Sequence, residues 1–139
     1  EVRDGFYHAT VNKEGWPYVQ FLGGTTGILK VLDNSSINYT NFRGNIQYRS
    51  VGNMVENDRM WLILVGHANR RRLKIWSEAR IVHHDDDPAL LARLEDPAYR
   101  TKVERAVLLC IEAFDWYCPQ YVMPRFTEAE FAKLVNAQA

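Results

Sequence analysis

From Arg72 to Val82 the chain reads RLKIWSEARIV, eleven residues with a period of two. Leu73, Ile75 and Ser77 fall on one side, Lys74, Trp76 and Glu78 on the other. Alternation sustained that long specifies a strand, because strand side chains point to opposite faces in turn. Similar segments surround it. FYHATV, from Phe6 to Val11, and PYVQFL, from Pro17, are joined through the turn NKEG and read as a hairpin. ILKVL and INYT follow, separated from their neighbours by GGTTG and DNSS. MWLILVG, from Met60 to Gly66, is apolar without alternation, which suits a strand covered on both faces. ERAVLLCIEAFDW closes the series as a long strand. Six or seven strands with short connections predict an antiparallel barrel or sandwich. A barrel is the more economical of the two, since it leaves fewer open edges.

Two helices decorate this β framework. DDDPALLARLED places aspartates before Pro88 and sets Leu90, Leu91 and Leu94 on one face. TEAEFAKLVNA opens with Thr127 and Glu130 at capping-box spacing. The 139 residues suit one domain, spanning 1–139. Seventeen basic side chains balance seventeen acidic ones, so no overall field favours nucleic acid or an anionic membrane. No apolar run approaches the ~20 residues of a membrane-spanning helix. Cys110 and Cys118 provide no disulfide framework and suit a reducing cytoplasm. The chain begins at Glu1 without a methionine, so an N-terminal segment is expected to be missing.

The chemistry concentrates between two strands, in INYTNFRGNIQYRSVGN, Ile37 to Asn53. Thr40, Asn41, Arg43 and Asn45 bring a hydroxyl, two amides and a guanidinium to one stretch, and Gly44 lets the backbone curl close to a ligand. That inventory suits a phosphate, whose oxygens an arginine meets bidentately. Gln47, Tyr48, Arg49 and Ser50 extend it along a following turn. The plainer alternative is a solvated loop whose amides and hydroxyls satisfy their own backbone. HHDDD, His83 to Asp87, reads as a turn into a helix rather than a metal site. NRRR, Asn69 to Arg72, reads as a turn, and the neutral chain argues against a nucleic-acid surface there. Cys110 and Trp61 are expected in the core, and His8 as a satisfied, partly buried side chain. Trp16 and Trp116 are candidates for stacking on a ring. No acid–base or nucleophilic constellation emerges, and no catalytic residue is assigned.

The order of segments carries more information than any one of them. A turn N-x-x-G-x-P and its strand, a strand ending YTN before an arginine, then GNMVENDRMWLILV resembles the pyridoxamine 5′-phosphate oxidase-like family of flavin-binding split barrels. GWPYVQ, FRGN, NRRRLK and the region EAFDWYCPQ are similar to a bacterial subgroup of that family known as predicted flavin-nucleotide-binding proteins. The likeness runs from Asp4 to Phe131. It implies a mainly β, six-stranded antiparallel split barrel with peripheral helices, and a homodimer holding FMN in a cleft between subunits.

Site residues follow from the resemblance. Tyr18, Val19, Gln20 and Phe21 match the strand lining the flavin ring edge, and Tyr39 and Thr40 the pair approaching the ribityl phosphate. Arg43 falls where the family places a phosphate-binding cation, and Arg72 where the oxidases have a glutamine facing the ring. Trp116 and Arg125 lie in the region that reaches the cofactor from the partner subunit. Two family features are missing. The adjacent Arg-Lys pair is replaced by Arg43-Gly44, so a second cation has to come from Arg49 or elsewhere, and the C-terminal arginine motif for pyridoxal is not found. The expected function is an FMN-dependent oxidoreductase acting on a small redox substrate; the alternative is a non-catalytic sensor or carrier of flavin or haem.

Overall fold

The structure is a computed structural model and describes residues 4–42, 48–95, 103–117 and 119–137. The alternating segments form β1 (Gly5–Val11), β2 (Pro17–Gly23), β3 (Leu29–Val31), β4 (Ser36–Phe42), β5 (Arg59–Gly66), β6 (Arg71–His83) and β7 (Val103–Tyr117). All pair antiparallel in one sheet of order β2-β1-β5-β6-β7-β4-β3. Seven strands are present rather than the expected six, the short β3 among them, and the sheet does not close. Its two end strands, β2 and β3, are connected through a glycine-containing loop where Gly27 takes φ +89° and ends any extended run. The NKEG hairpin forms as its sequence requires: Gly15 adopts φ +89° and its N–H donates to the Asn12 carbonyl at 3.0 Å.

Three helices accompany the sheet: α1 (Arg49–Glu56), α2 (Pro88–Leu94) and α3 (Glu128–Asn136). α2 begins as its sequence predicts, with the Asp87 carboxylate accepting from Leu90 N–H at 2.9 Å. Leu91 and Leu94 are buried against Val82, Val103 and Ala106. Each such leucine contributes about 1.5–3 kcal/mol through burial. α3 carries the expected capping box, Thr127 Oγ1 accepting from Glu130 N–H and Glu130 Oε2 from Thr127 N–H. α1 was not expected, because RSVGNMVE reads as the continuation of a turn. It forms through tertiary burial: Ser50 and Met54, four positions apart, both face inward.

The main core gathers Phe6, Ile37, Tyr39, Met60, Leu62, Ile75, Val107 and Leu109 from the strands, and Met54 from α1. α1 packs against β1, β2 and β6. Two expected core residues differ. β5 alternates between covered and open faces, and Trp61 is 42% exposed, its ring tilted against Trp76 with centroids 4.1 Å apart. Cys110 is exposed as well, since its register opposite Ser36 and Glu78 sets it outside the core cluster.

Candidate functional site

Strand alternation sorts the expected flavin-binding residues by face. In β2, Tyr18 and Gln20 pair with Thr10 and His8, whose side chains point inward beneath α1; Val19 and Phe21 pair with Ala9 and Tyr7 on the opposite, open face. In β4, Tyr39 is buried inward, while Thr40 belongs to the other side of the strand. Arg43, Asn45 and Gln47 lie outside the described residues. On either side of that segment, however, the end of β4 at Asn41 and the start of α1 at Tyr48, Arg49 and Ser50 are in place.

The start of α1 is suited to an anion. Tyr48 is its N-cap and makes no side-chain capping bond, and no carboxylate occupies the first turn. The leading N–H groups of a helix have no intrahelical partner and carry a partial positive charge. Beside this end is a residue that the sequence reading missed. Arg105, directly across from Asn41 on β7, is only 6% exposed. Its guanidinium lies 4.8 Å above the Tyr48 ring and pairs with Glu104, and its Nε has no hydrogen-bond partner among the described residues. The signal was in the alternation: Val103, Arg105, Val107 and Leu109 share a period of two, placing an arginine at an inward position among apolar ones.

Beneath α1 runs a buried polar chain. Tyr39 Oη lies 3.4 Å from His8 Nδ1, His8 Nε2 lies 2.9 Å from Ser50 Oγ, and Ser50 Oγ donates to Gln20 Oε1 at 3.2 Å. Asn53 Nδ2 adds a bond to Thr10 Oγ1 at 3.0 Å, fastening α1 to β1 a second time. Burial lowers the His8 pKa from 6.5 to about 4, with the neighbouring Gln20 amide offsetting part of that effect. Burial raises the Tyr39 hydroxyl well above its ordinary range, so it stays protonated. A serine beside a histidine invites a nucleophile–base reading. The geometry opposes it: Ser50 is buried, its proton goes to Gln20, and no carboxylate among the described residues orients the imidazole.

The remaining expected residues are elsewhere. Tyr18 and Arg49 line a cleft of about 460 Å³ with Trp16, Gly52 and Asn53, between the β1–β2 hairpin and α1. Arg72 and Trp116 sit on adjoining strands at the far end of β7, where Arg72 and Lys74 lie over the Tyr117 ring at 4.6 and 4.2 Å. Arg125 lines a separate cavity of about 610 Å³ with His67 and Lys133. In the His83–Asp87 turn, Asp86 accepts from the His83 N–H at 3.0 Å and Asp87 caps α2. Cys118 lies outside the described residues.

No protein-family model matches the sequence, and no curated protein matches it. Solved structures do. A candidate pyridoxamine 5′-phosphate oxidase from Lactobacillus delbrueckii is 25% identical, over 81% of this chain and 84% of that one, with a TM-score of 0.58. An FMN-binding protein from Syntrophomonas wolfei is 11% identical over 84% and 78%, with a TM-score of 0.62. HutZ, a haem storage protein from Vibrio cholerae, is 15% identical over 83% and 85%, with a TM-score of 0.57. The chain thus has the fold of the pyridoxamine 5′-phosphate oxidase-like FMN-binding split barrels. No helix among the described residues is long and apolar enough to cross a membrane.

Proposed function

We propose that this protein binds FMN and acts as an FMN-dependent oxidoreductase on a small-molecule substrate in the cytoplasm. The observation that carries the reading is the pairing of an uncapped α1 N-terminus with the buried Arg105, whose Nε has no partner among the described residues, at the end of β4. These groups are complementary to a phosphate dianion, and they flank the segment that holds Arg43. Bound FMN would supply two-electron redox chemistry, and the chain's part is to bind and orient it. Arg43 and Arg105 meet the phosphate, Arg105 through the Nε that its pairing with Glu104 leaves open, and Tyr18 and Gln20 face the same α1 side of β2. The absence of an acid–base constellation among the sequence candidates fits this division of labour.

The proposal includes a homodimer. Tyr7, Val19, Phe21, Trp61 and Ile63 are exposed on adjoining positions of β2, β1 and β5. A sheet face that apolar is suited to a second copy. It also accounts for the unbroken apolar run of β5, which read as covered on both sides.

Purified protein is expected to be yellow and to release FMN on denaturation. Arg43→Ala removes a charge-assisted contact worth ~1.5–3 kcal/mol, so FMN affinity falls roughly tenfold to a hundredfold. Riboflavin, which lacks the phosphate, binds wild type and variant alike. A colourless protein that takes up no flavin on titration overturns the reading. The likeness to a haem storage protein supports a second one, a non-catalytic carrier of flavin or haem. Multiple-turnover oxidation of reduced nicotinamide through the bound flavin, with oxygen as the electron acceptor, separates the two, since a carrier would not sustain it.

A further inference from the structure

The direction of the hydrogen bonds beneath α1 follows from burial. Tyr39 is 1% exposed, and His8 Nδ1 is the acceptor within reach of its hydroxyl among the described residues. A buried phenol proton needs an acceptor, so Tyr39 donates to Nδ1. A neutral imidazole carries one proton, which is therefore on Nε2 and is donated to Ser50. Ser50 also has one proton to give, and it goes to Gln20 Oε1. With that tautomer the bonds run from the phenol to the glutamine, and the direct hydrogen bond between His8 and Gln20 has the same sense, its amide oxygen accepting from the imidazole. Tyr39, His8 and Ser50 are buried, whereas Gln20 is half-buried and is the member that reaches solvent.

We infer that His8 is a positioning residue: through Ser50 it locks the Gln20 amide so that its NH2 faces outward as a fixed donor to an acceptor oxygen or nitrogen of the ligand. This rests on the flavin reading for the ligand's identity, but not for the orientation. An unconstrained glutamine presents its oxygen and its NH2 with similar ease, because the two lobes have the same shape. A locked one discriminates. It donates to a ring carbonyl, ring nitrogen or phosphate oxygen and disfavours a donor at the same place.

The orientation is tested first without ligand. Nitrogen NMR of the apo-protein is expected to show His8 protonated at Nε2 and bare at Nδ1, a pattern that Tyr39→Phe, which removes the donor to Nδ1, disturbs and Ser50→Ala, which leaves that donor in place, retains. Flavin titrations then read the consequence. Gln20→Glu keeps the acceptor for Ser50 but replaces the donor by a carboxylate oxygen, and should weaken FMN binding more than tenfold. Ser50→Ala, which frees the amide to turn, should weaken it roughly twofold to tenfold, the range of one neutral hydrogen bond. Ser50→Thr should recover wild-type affinity. Equal losses for FMN and riboflavin place the acceptor on the ring or ribityl chain; a loss confined to FMN places it on the phosphate. Nδ1 protonation in the wild-type apo-protein, or undiminished FMN binding by Gln20→Glu, overturns the inference. If wild type binds no flavin, the proposed function fails, while the apo spectrum still decides the orientation.

Discussion

Acidification should destabilise this protein through one histidine before most of its carboxylates take part. His8 is 2% exposed and has its pKa lowered from 6.5 to about 4 by burial. Above pH 6.5 the imidazole is neutral whether the chain is folded or unfolded, and contributes no pH dependence. Between pH 6.5 and about 4 the unfolded chain takes up a proton at His8 that the folded chain does not. Stability therefore falls as pH falls through that window and levels off, for this group, below it. The span from 6.5 to about 4 corresponds to about 3 kcal/mol, a large share of the 5–15 kcal/mol typical of a domain. The assay is urea unfolding at a series of pH values, followed by tryptophan fluorescence, on wild type and His8→Gln. Glutamine retains a donor toward Ser50 but does not titrate, and groups common to both proteins cancel in the difference. The wild type should lose about 3 kcal/mol more than the variant between pH 6.5 and 4. Parallel losses in the two proteins would refute the reasoning, because His8 would then titrate alike folded and unfolded.

Asn38 offers a second test. It is wholly buried, and both polar atoms of its amide have no hydrogen-bond partner among the described residues. Asn38→Leu should leave the urea midpoint unchanged or raise stability by about 1 kcal/mol, and a loss of about 2 kcal/mol would contradict it. On the open sheet face, Phe21→Glu places a charge beside Tyr7, whose ring centroid is 5.0 Å from that of Phe21. Light scattering should show the variant shifted toward monomer, and an unchanged mass would move the proposed interface elsewhere.

What the sequence revealed was what local periodicity encodes. β6 was visible in its alternation, β7 as one long strand, and both α2 and α3 in their capping residues, because Asp87 and Thr127 act on neighbours three positions away. α1 was hidden: its serine, glycine and asparagine favour turns, and it exists because Ser50 and Met54 find partners on distant strands. The same reason hid the inner half of the site. Tyr39, Gln20 and Ser50 were legible as separate polar positions, yet His8 is the residue that joins them, across 31 and 42 positions of sequence to Tyr39 and Ser50. Trp61 and Cys110 misled for the opposite reason, since an apolar run states what a strand prefers to bury but not whether one chain can cover it.

The unclosed sheet has a kinetic consequence. Because β2 and β3 are not zipped together, the cover over the inner polar chain is a helix of eight residues rather than a strand. Lifting α1 exposes its own Ser50 and Met54 and the His8 and Thr10 side chains beneath it, and breaks the bonds of Ser50 and Asn53, but ruptures no rung of the β-ladder. Entry to the interior is then expected to be a local opening, less costly than global unfolding, and hydrogen exchange should find the amides of α1 faster than those of β5 to β7. A ligand whose phosphate sits on the N-terminus of α1 would then close the lid by the act of binding, and its residence time would be set by how often eight residues come loose together.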